Sequence, residues 1–303
     1  MSDAPVIFDV IIPTYNHARL LREALASVTA QTLGNWRAFI INNHSTDDTA
    51  DVIASFNDSR MNRIDFANHG VIGASRNVGI NAGDAPFVAF LDSDDVWYPH
   101  KLEVARQKLT SKVDVFCHAE RWVELDGTSR VVKYGHRGVI SFGSLLYRGN
   151  SLSTSAVIMR RSLLNQIGGF DTDAAVVTAE DYELWLRAAH TGARFALTAT
   201  ALGEFRRQPE SASSRVDKNA AAERAVLAKH FPKTPTITQK LLIRRRMALS
   251  HYGAARGFQH AGDSAKFWTS IRCSLSTFPF LLRPYAAIAL AIKSRLQNGK
   301  SPS

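Results

Sequence analysis

The sequence has little cysteine, no long uninterrupted apolar run and no internal repeat. Its 303 residues include two cysteines, Cys117 and Cys273, which lie far apart and outside any Cys-x-x-Cys arrangement. We therefore expect neither a disulfide scaffold nor a structural zinc site, and a reducing compartment suits this composition. The first ten residues, MSDAPVIFDV, contain no basic segment followed by a long apolar one, so no signal peptide is expected.

The most apolar stretch, FPFLLRPYAAIALAI, is interrupted by Arg283 and Pro284. It falls short of the ~20 apolar residues that a membrane-spanning helix requires. We therefore expect a cytoplasmic protein whose contact with any membrane is from the side.

Acidic residues are scarce in the last quarter of the chain. Residues 221–303 contain 14 Lys and Arg against 2 Asp and Glu, a local balance of +12, whereas residues 1–220 contain 23 and 25. The net charge of +10 therefore originates entirely in the C-terminal segment. Segments that differ this much in charge are expected to have different partners.

Strand-like and helix-like patterns alternate through the first hundred residues. The strand-like runs are VIFDVIIP, WRAFIIN, RIDFAN and FVAFL. Amphipathic segments separate them, which predicts an α/β fold with a parallel, doubly wound sheet covered by helices on both faces. Ligands of such sheets bind at the carboxyl ends of the strands.

The pattern changes after Thr110. DVFCHAERWVELDGTSRVVKY predicts a hairpin that turns at Asp126 and Gly127. Further strands are predicted for STSAVIMR and RFALTATALGEFRR, and an amphipathic helix for AEDYELWLRAAHTG. We therefore expect one half over residues 1–110, a second half over residues 111–219, and a basic helical extension over residues 220–303.

Three carboxylates, Asp92, Asp94 and Asp95, follow the apolar strand FVAFL with only Ser93 among them. Like charges this close repel one another, so a positive partner is expected. Mg²⁺ is usually held by one or two carboxylates together with substrate phosphates. The position at a strand end favours a metal site over the alternative, which is a solvated acidic turn that caps the next helix.

An ordered set of motifs extends this interpretation. VIIPTYN, NNHSTDDT, GASRNVG, FLDSDD, GGFD and AEDYELWLR follow one another between about residues 6 and 215. Together they resemble the family 2 glycosyltransferases, which are inverting nucleotide-sugar enzymes of the kind that builds bacterial surface glycans. The resemblance implies a GT-A-like doubly wound mixed sheet with a Rossmann-like nucleotide-sugar half and an acceptor half. It also implies a nucleotide-sugar donor, a divalent metal (Mg²⁺ or Mn²⁺), and a glycan or lipid-linked acceptor.

The resemblance also implies roles for individual residues. Donor-binding roles fall on Pro13, Thr14, Tyr15, Asn42, Asn43, Arg76, Asp92 and Asp94. Asp92 would approach the ribose, and Asp94, joined by Asp95, would hold the metal. Asp181 would be the general base, with Glu180 as the second choice, because an acceptor hydroxyl must lose its proton during attack. The alternatives are a surface ion pair for Arg76 and an ordinary helix N-terminal acid for Asp181.

Two positions depart from the family pattern. Asn42 and Asn43 stand where relatives commonly have an acidic pair or an Asp-Asn pair, and an amide both donates and accepts, so looser selection of the base is predicted. In EFRRQPESASS, related sequences often place a histidine that can reach the metal or phosphate. The nearest residues here are Gln208, Arg206 and Arg207.

Other classes of protein are weighed against this resemblance. A nucleotidyltransferase would show a glycine-rich, basic phosphate loop after the first strand, which VIIPTYNHARL lacks. A non-catalytic sugar-nucleotide-binding protein stays an alternative because of Asn42 and Asn43. Nucleic-acid binding would explain the basic segment but not an acidic site in a near-neutral body, so no nucleic-acid partner is expected.

The basic segment itself allows two hypotheses. It contains the cluster Arg244–Arg246 and a helical stripe formed by Leu281, Tyr285, Ile288, Ile292 and Leu296. Such a segment suits an anionic membrane surface, here the inner face of the plasma membrane. The same stripe would equally serve to pack on the catalytic region.

Overall fold

The computed structural model describes residues 5–208 and 215–298, with side chains through residue 292. Its contacts divide the chain into two compact units. The first comprises Met1–Leu145 and Asn150–Ser211, and the second comprises Leu146–Gly149 and Ala212–Ser303.

The first unit is built on one sheet of nine strands. The strands are β1 (Phe8–Thr14), β2 (Trp36–Asn42), β3 (Met61–Asp65), β4 (Phe87–Phe90), β5 (Val96–Trp97), β6 (Val115–Val123), β7 (Ser129–Val132), β8 (Val157–Arg160) and β9 (Phe195–Arg206). The helices up to residue 190 are α1 (Ala18–Thr29), α2 (Thr49–Ser55), α3 (Ile72–Ala82), α4 (Lys101–Lys108), α5 (Phe142–Arg148), α6 (Arg161–Ile167) and α7 (Glu180–His190).

The sheet is mixed, in the order β3-β2-β1-β4-β8-β6-β9-β5, with β7 paired to β6. The strands β3, β2, β1 and β4 are parallel, which confirms the doubly wound first half. The second half makes the sheet mixed, as the family resemblance implied, because β8 runs antiparallel to both β4 and β6. The chain enters β8 from a loop beside the carboxyl end of β4, where Asp92 N–H donates to Ser155, so β8 must run in the opposite direction.

The strand β1 lies at the centre of the parallel half, and all seven of its residues are buried. Leu21 and Leu25 of α1 belong to the apolar cluster on one face of the sheet. On the other face, a Cβ added to Gly79 of α3 would lie 2.8 Å from the Ile11 side chain, so only glycine allows this close approach. Helices on both faces explain why every residue of β1 is buried, without the alternation of a strand that has one face in solvent.

The second unit is helical, as predicted for the extension. Its helices are α8 (Val216–His230), α9 (Ile237–His260), α10 (Ser264–Thr277) and α11 (Leu282–Asn298). A capping box begins α9, since Thr236 and Gln239 bond each other's backbone N–H groups. The apolar core of the second unit includes Phe258, Phe267 and Ile271. Within residues 5–208 and 215–298, none of the helices combines the length and apolar character needed to cross a bilayer.

The stripe predicted along the last helix is packed at some positions and exposed at others. Leu281 is buried and Ile288 packs against the helical core, whereas Tyr285 and Ile292 are each 49% exposed. At ~100° per residue, Ile288 lies about 60° around the helix from Tyr285, which places it at the edge of the packed side. The side chain of Leu296 lies outside the described residues.

Candidate active site

The carboxyl ends of β1 and β2 carry the residues predicted to shape the donor pocket. Asn43 N–H donates to the Thr14 carbonyl over 3.0 Å, which joins the two strand ends. Pro13 and Thr14 are buried, whereas the Tyr15 side chain is 53% exposed. The structure therefore brings both predicted segments to one edge of the sheet, with an aromatic ring open to solvent.

Asn42 is 2% exposed and its amide already has two partners. Its Nδ2 donates to Asp65 Oδ1 over 2.7 Å, and its Oδ1 accepts from Ser45 N–H over 3.0 Å. Arg63 holds Asp65 in turn, and this ion pair lowers the pKa of Asp65. The Asn42 side chain thus ties β2 to β3, and only one of its N–H bonds is left for a nucleotide.

Arg76, on α3, joins the two acidic motifs. Its guanidinium donates to Asp92 Oδ1 and to Glu180 Oε1, each over 2.7 Å. Burial opposes the charged form, but the two carboxylates outweigh it and raise the pKa of Arg76. At 3% exposure Arg76 is not part of a surface ion pair, so that alternative is wrong.

The three neighbouring carboxylates occupy different environments. Asp92 is bound to Arg76. Asp95 is 2% exposed, and its two oxygens accept from Ser155 Oγ over 2.5 Å and from Arg206 N–H over 3.1 Å. In the described part of the chain, no side chain donates a hydrogen bond to the Asp94 carboxylate, which is partly exposed. Burial, followed by repulsion from Asp92, raises the pKa of Asp94.

This arrangement suits a metal held jointly with the substrate. Among residues 5–208 and 215–298, no three His, Cys, Asp or Glu side chains are grouped as a ready metal site. Mg²⁺ commonly takes one or two carboxylates and completes its shell with water and phosphate oxygens. The uncommitted carboxylate of Asp94 suits such a partial shell, whereas Asp95 could contribute only a remaining lone pair.

Asp181 lies in the first turn of α7 and is partly exposed. Its Oδ1 accepts from Tyr182 N–H over 2.6 Å, and its Oδ2 lies 3.4 Å from both Asn150 Nδ2 and Thr154 Oγ1. Burial, with repulsion from Glu180, raises the pKa of Asp181 to about 7. An acid that only served the helix dipole would be stabilised in its charged form, whereas a pKa near neutrality suits a group that takes up a proton.

The segment before α7 is strained. Thr178 has φ of 85°, a region that β-branched residues rarely occupy. Its N–H donates to Glu180 Oε2 over 2.8 Å, so this backbone conformation helps to hold the carboxylate that binds Arg76. Strain of this kind is commonly found at functional sites.

Several site residues were not singled out from the sequence. His17 bonds Ser93 Oγ through Nδ1 over 2.8 Å, and Lys101, which is fully buried, donates to the Ser155 carbonyl. Ser155 lies inside the run STSAVIMR that was predicted as a strand, whereas β8 begins only at Val157, so nothing in the sequence indicated a role for its hydroxyl. Of the residues considered for the missing histidine, Arg206 reaches the Asp94 carbonyl over 3.1 Å.

Comparison with known proteins explains this constellation. The model described as "Glycosyl transferase family 2" matches residues 9–168, which is more than half of the chain. The chain belongs to this family. It is therefore a glycosyltransferase, and the nucleotidyltransferase alternative is not supported.

Relatives of this glycosyltransferase include one named for sugar transfer to a lipid diphosphate and one named for succinoglycan biosynthesis. The Escherichia coli protein WfgD, named as a UDP-Glc:α-D-GlcNAc-diphosphoundecaprenol β-1,3-glucosyltransferase, is 30% identical over 182 residues, which cover 59% of this chain and 68% of WfgD. The succinoglycan biosynthesis protein ExoW of Rhizobium meliloti is 38% identical over 135 residues, or 43% of this chain and 40% of ExoW.

Solved structures show the same fold. The crystal structure of S. aureus TarS 1–349 in complex with UDP-GlcNAc has a TM-score of 0.67 at 19% identity, over 89% of this chain and 81% of that one. The mannosyltransferase PcManGT from Pyrobaculum calidifontis, in complex with GDP-Man and Mn²⁺, has a TM-score of 0.62 at 14% identity, over 97% and 81%. These likenesses confirm the predicted GT-A-like α/β architecture.

Proposed function

We propose that this glycosyltransferase inverts the anomeric centre in a single displacement, with Asp181 as the general base. The observation that carries the proposal is the carboxylate of Asp181, whose pKa is raised to about 7. Asp181 follows Glu180 in the chain, and Glu180 is linked through Arg76 to Asp92 on the donor side. An acceptor hydroxyl attacks the anomeric carbon, its proton passes to Asp181, and the nucleoside diphosphate leaves with the electron pair of the broken C–O bond.

Residues at the strand ends would hold the donor. Pro13, Thr14 and Tyr15, with Asn43, border the nucleotide side, and Asp92 would accept a hydrogen bond from the ribose. Asp94 would hold a divalent metal, with Asp95 behind it. When bound, Mg²⁺ or Mn²⁺ would stabilise the negative charge that develops on the departing diphosphate. Arg206 would add a fixed positive charge beside the same turn.

The acceptor class follows from the relatives. WfgD is named for a sugar on diphosphoundecaprenol, so we propose a lipid-linked saccharide as the acceptor of this chain as well. The experiment is a panel of nucleotide sugars with synthetic lipid-diphosphate saccharides, with and without chelator. Transfer with inversion, read by NMR of the new linkage, supports the proposal. Retention, or nucleotide binding without transfer or donor hydrolysis, would overturn it.

A lipid-linked acceptor places the enzyme at a membrane, and we assign the contact to the basic second unit. Its outer surface on α11 and the preceding turn exposes Phe280 and Leu282 at 80% each and Leu290 at 59%. Exposed apolar side chains beside an excess of Lys and Arg suit an anionic interface. Arg246 is not part of this surface, because it is 2% exposed and pairs with Glu223 over 2.5 Å.

Co-sedimentation with anionic and neutral vesicles tests this assignment. The wild type should bind anionic vesicles at low salt and lose binding at high salt. The double variant Phe280→Asn with Leu282→Asn should bind about tenfold or more weakly, since burying each such side chain contributes roughly 1.5–3 kcal/mol. Leu125→Asn is the matched control, because Leu125 is an exposed apolar residue of the first unit. Equal binding by both variants, or no binding at low salt, would refute the assignment.

A further inference from the structure

Ser155 is buried at the point where several parts of the site converge. It lies in the 3₁₀ turn Thr154–Ala156 that leads into β8, and it is 1% exposed. Its hydroxyl accepts from Asp92 N–H over 3.0 Å and donates to Asp95 Oδ2 over 2.5 Å. One side chain therefore bridges the two ends of the acidic turn Asp92–Asp95, with Asp94 between them.

The backbone of Ser155 is fixed just as firmly. Its carbonyl accepts from Trp97 Nε1 over 3.0 Å and from Lys101 Nζ over 2.5 Å. Lys101 is fully buried, its Nζ lies 3.6 Å from the centre of the Trp97 ring, and burial lowers the pKa of Lys101 well below its usual value. A buried amino group is costly to leave without a hydrogen bond, so the bond to the Ser155 carbonyl helps to fix that carbonyl.

The same segment reaches the proposed base. Thr154, next to Ser155 in the chain, and Asn150 both lie 3.4 Å from Asp181 Oδ2. A displacement of residues 150–155 would therefore change the environment of the base and the shape of the acidic turn together. Hydrogen-bond partners that orient a metal ligand commonly change affinity or activity by about 10–100-fold when they are removed.

We propose that Ser155 is a positioning residue that holds Asp94 for its metal by bridging the Asp92 backbone and the Asp95 carboxylate, while the neighbouring segment contacts the base. The proposal rests on the proposed metal role of Asp94. Ser155→Ala deletes both hydroxyl bonds and keeps the carbonyl that binds Lys101, so the loss is confined to the acidic turn.

Ser27→Ala is the matched control. Ser27 is also buried, and its hydroxyl accepts from Trp97 N–H over 3.1 Å and donates to the Ala24 carbonyl. The control thus removes a buried hydroxyl of comparable importance for packing, close to the same tryptophan, without touching a carboxylate.

The experiment measures Mn²⁺ affinity by titration in the presence of UDP, together with kcat and donor KM, for the wild type and both variants. Ser155→Ala should weaken Mn²⁺ binding about tenfold or more and lower kcat. Ser27→Ala should lower Tm by a similar amount but leave the Mn²⁺ affinity unchanged. If Ser155→Ala does not fold, Ser155→Cys carries the same test, because a thiol is close in size but a weaker hydrogen-bonding group.

The results distinguish the metal role of Asp94 from the positioning role of Ser155. A wild type that binds no Mn²⁺ would refute the metal assignment and this inference with it. A wild type that binds Mn²⁺, with equal affinity in the Ser155 variant, would overturn the positioning role alone.

Discussion

Replacing Asp181 by asparagine should inactivate the enzyme and, above neutral pH, make it more stable. The substitution keeps the size of the side chain but removes the ability to take up a proton. We expect kcat to fall on the order of a hundredfold or more, the usual contribution of a positioned base. Donor binding should change little, because Arg76 holds Asp92 and Glu180 independently of Asp181.

The stability effect follows from the raised pKa. Asp181 titrates near 3.8 when unperturbed and near 7 in the folded protein, so folding takes up a proton between these pH values. The stability of the wild type therefore decreases as the pH rises from about 4 to about 7, and the asparagine variant lacks this loss. The two proteins should be equally stable near pH 4 and differ most at pH 8.

The size of the difference can be bounded. A pKa shift from 3.8 to about 7 would correspond to roughly 4 kcal/mol at full strength. Asp181 is partly exposed and shares its surroundings with Arg76, so solvent screening reduces this to about 1–2 kcal/mol. For a unit of this size, that is a rise in Tm of roughly 2–8 °C at pH 8.

The assay combines thermal unfolding at pH 5 and pH 8 with nucleotide release from the donor. Glu180→Gln is the contrasting control, because Glu180 forms a buried ion pair with Arg76 over 2.7 Å. Weakening that pair should destabilise the protein by up to about 3–5 kcal/mol. If Asp181→Asn retains activity while Glu180→Gln loses it without loss of stability, the two roles must be exchanged. The stability difference between Asp181→Asn and the wild type should be larger at pH 8 than at pH 5. An equal difference at both pH values would show that the pKa of Asp181 is not raised by burial.

Three further predictions concern other parts of the site. Asp94→Ala should abolish turnover and Mn²⁺ binding together, and near-wild-type turnover in the presence of chelator would contradict the metal role. Thr178→Gly should relieve the positive φ and raise stability by about 1 kcal/mol, while kcat falls because Glu180 is held less firmly; an unchanged kcat would show that the strain has no role. Direct titration with UDP, dTDP, GDP and CDP should reveal weak discrimination among bases, since Asn42 is occupied by Asp65, and a strong preference for UDP alone would contradict this.

The parallel half of the fold was predictable because its signals are local. Apolar strands, capping residues and regular spacing predicted β1, β2 and β4 with their helices, and the carboxyl edge of the sheet then predicted where the acidic motifs meet. The antiparallel β8 was not predictable in the same way. Its direction depends on where a loop crosses the sheet, and a short apolar run is identical for either direction.

The sequence motifs indicated which charged residues belong to the candidate site. They did not indicate which side chains those residues contact. The motifs named Arg76, Asp92 and Asp181 without showing that Arg76 bridges two of the acidic motifs. Lys101 illustrates the limit, because a lysine in a polar helical segment is normally solvated, and only the tertiary structure places it beneath Trp97. The amphipathic pattern of α11 also left open which of its apolar residues are packed, and the structure shows that Ile288 packs on the helical core whereas Tyr285 and Ile292 are exposed.

The acidic turn also explains why three carboxylates do not make a three-carboxylate metal site. Two unit charges 4 Å apart repel by about 4 kcal/mol in a partly shielded site, so three free charges would be difficult to hold in one turn. Two sets of contacts reduce the repulsion. Asp92 forms an ion pair with Arg76, and the Asp95 carboxylate accepts hydrogen bonds from the Ser155 hydroxyl and the Arg206 backbone N–H. Asp94 alone keeps a carboxylate with no side-chain donor among the described residues. A divalent cation would offset the negative charge of Asp94 and join it to the diphosphate of the donor, so we propose Asp94 as the main metal ligand, with Asp95 contributing at most one lone pair.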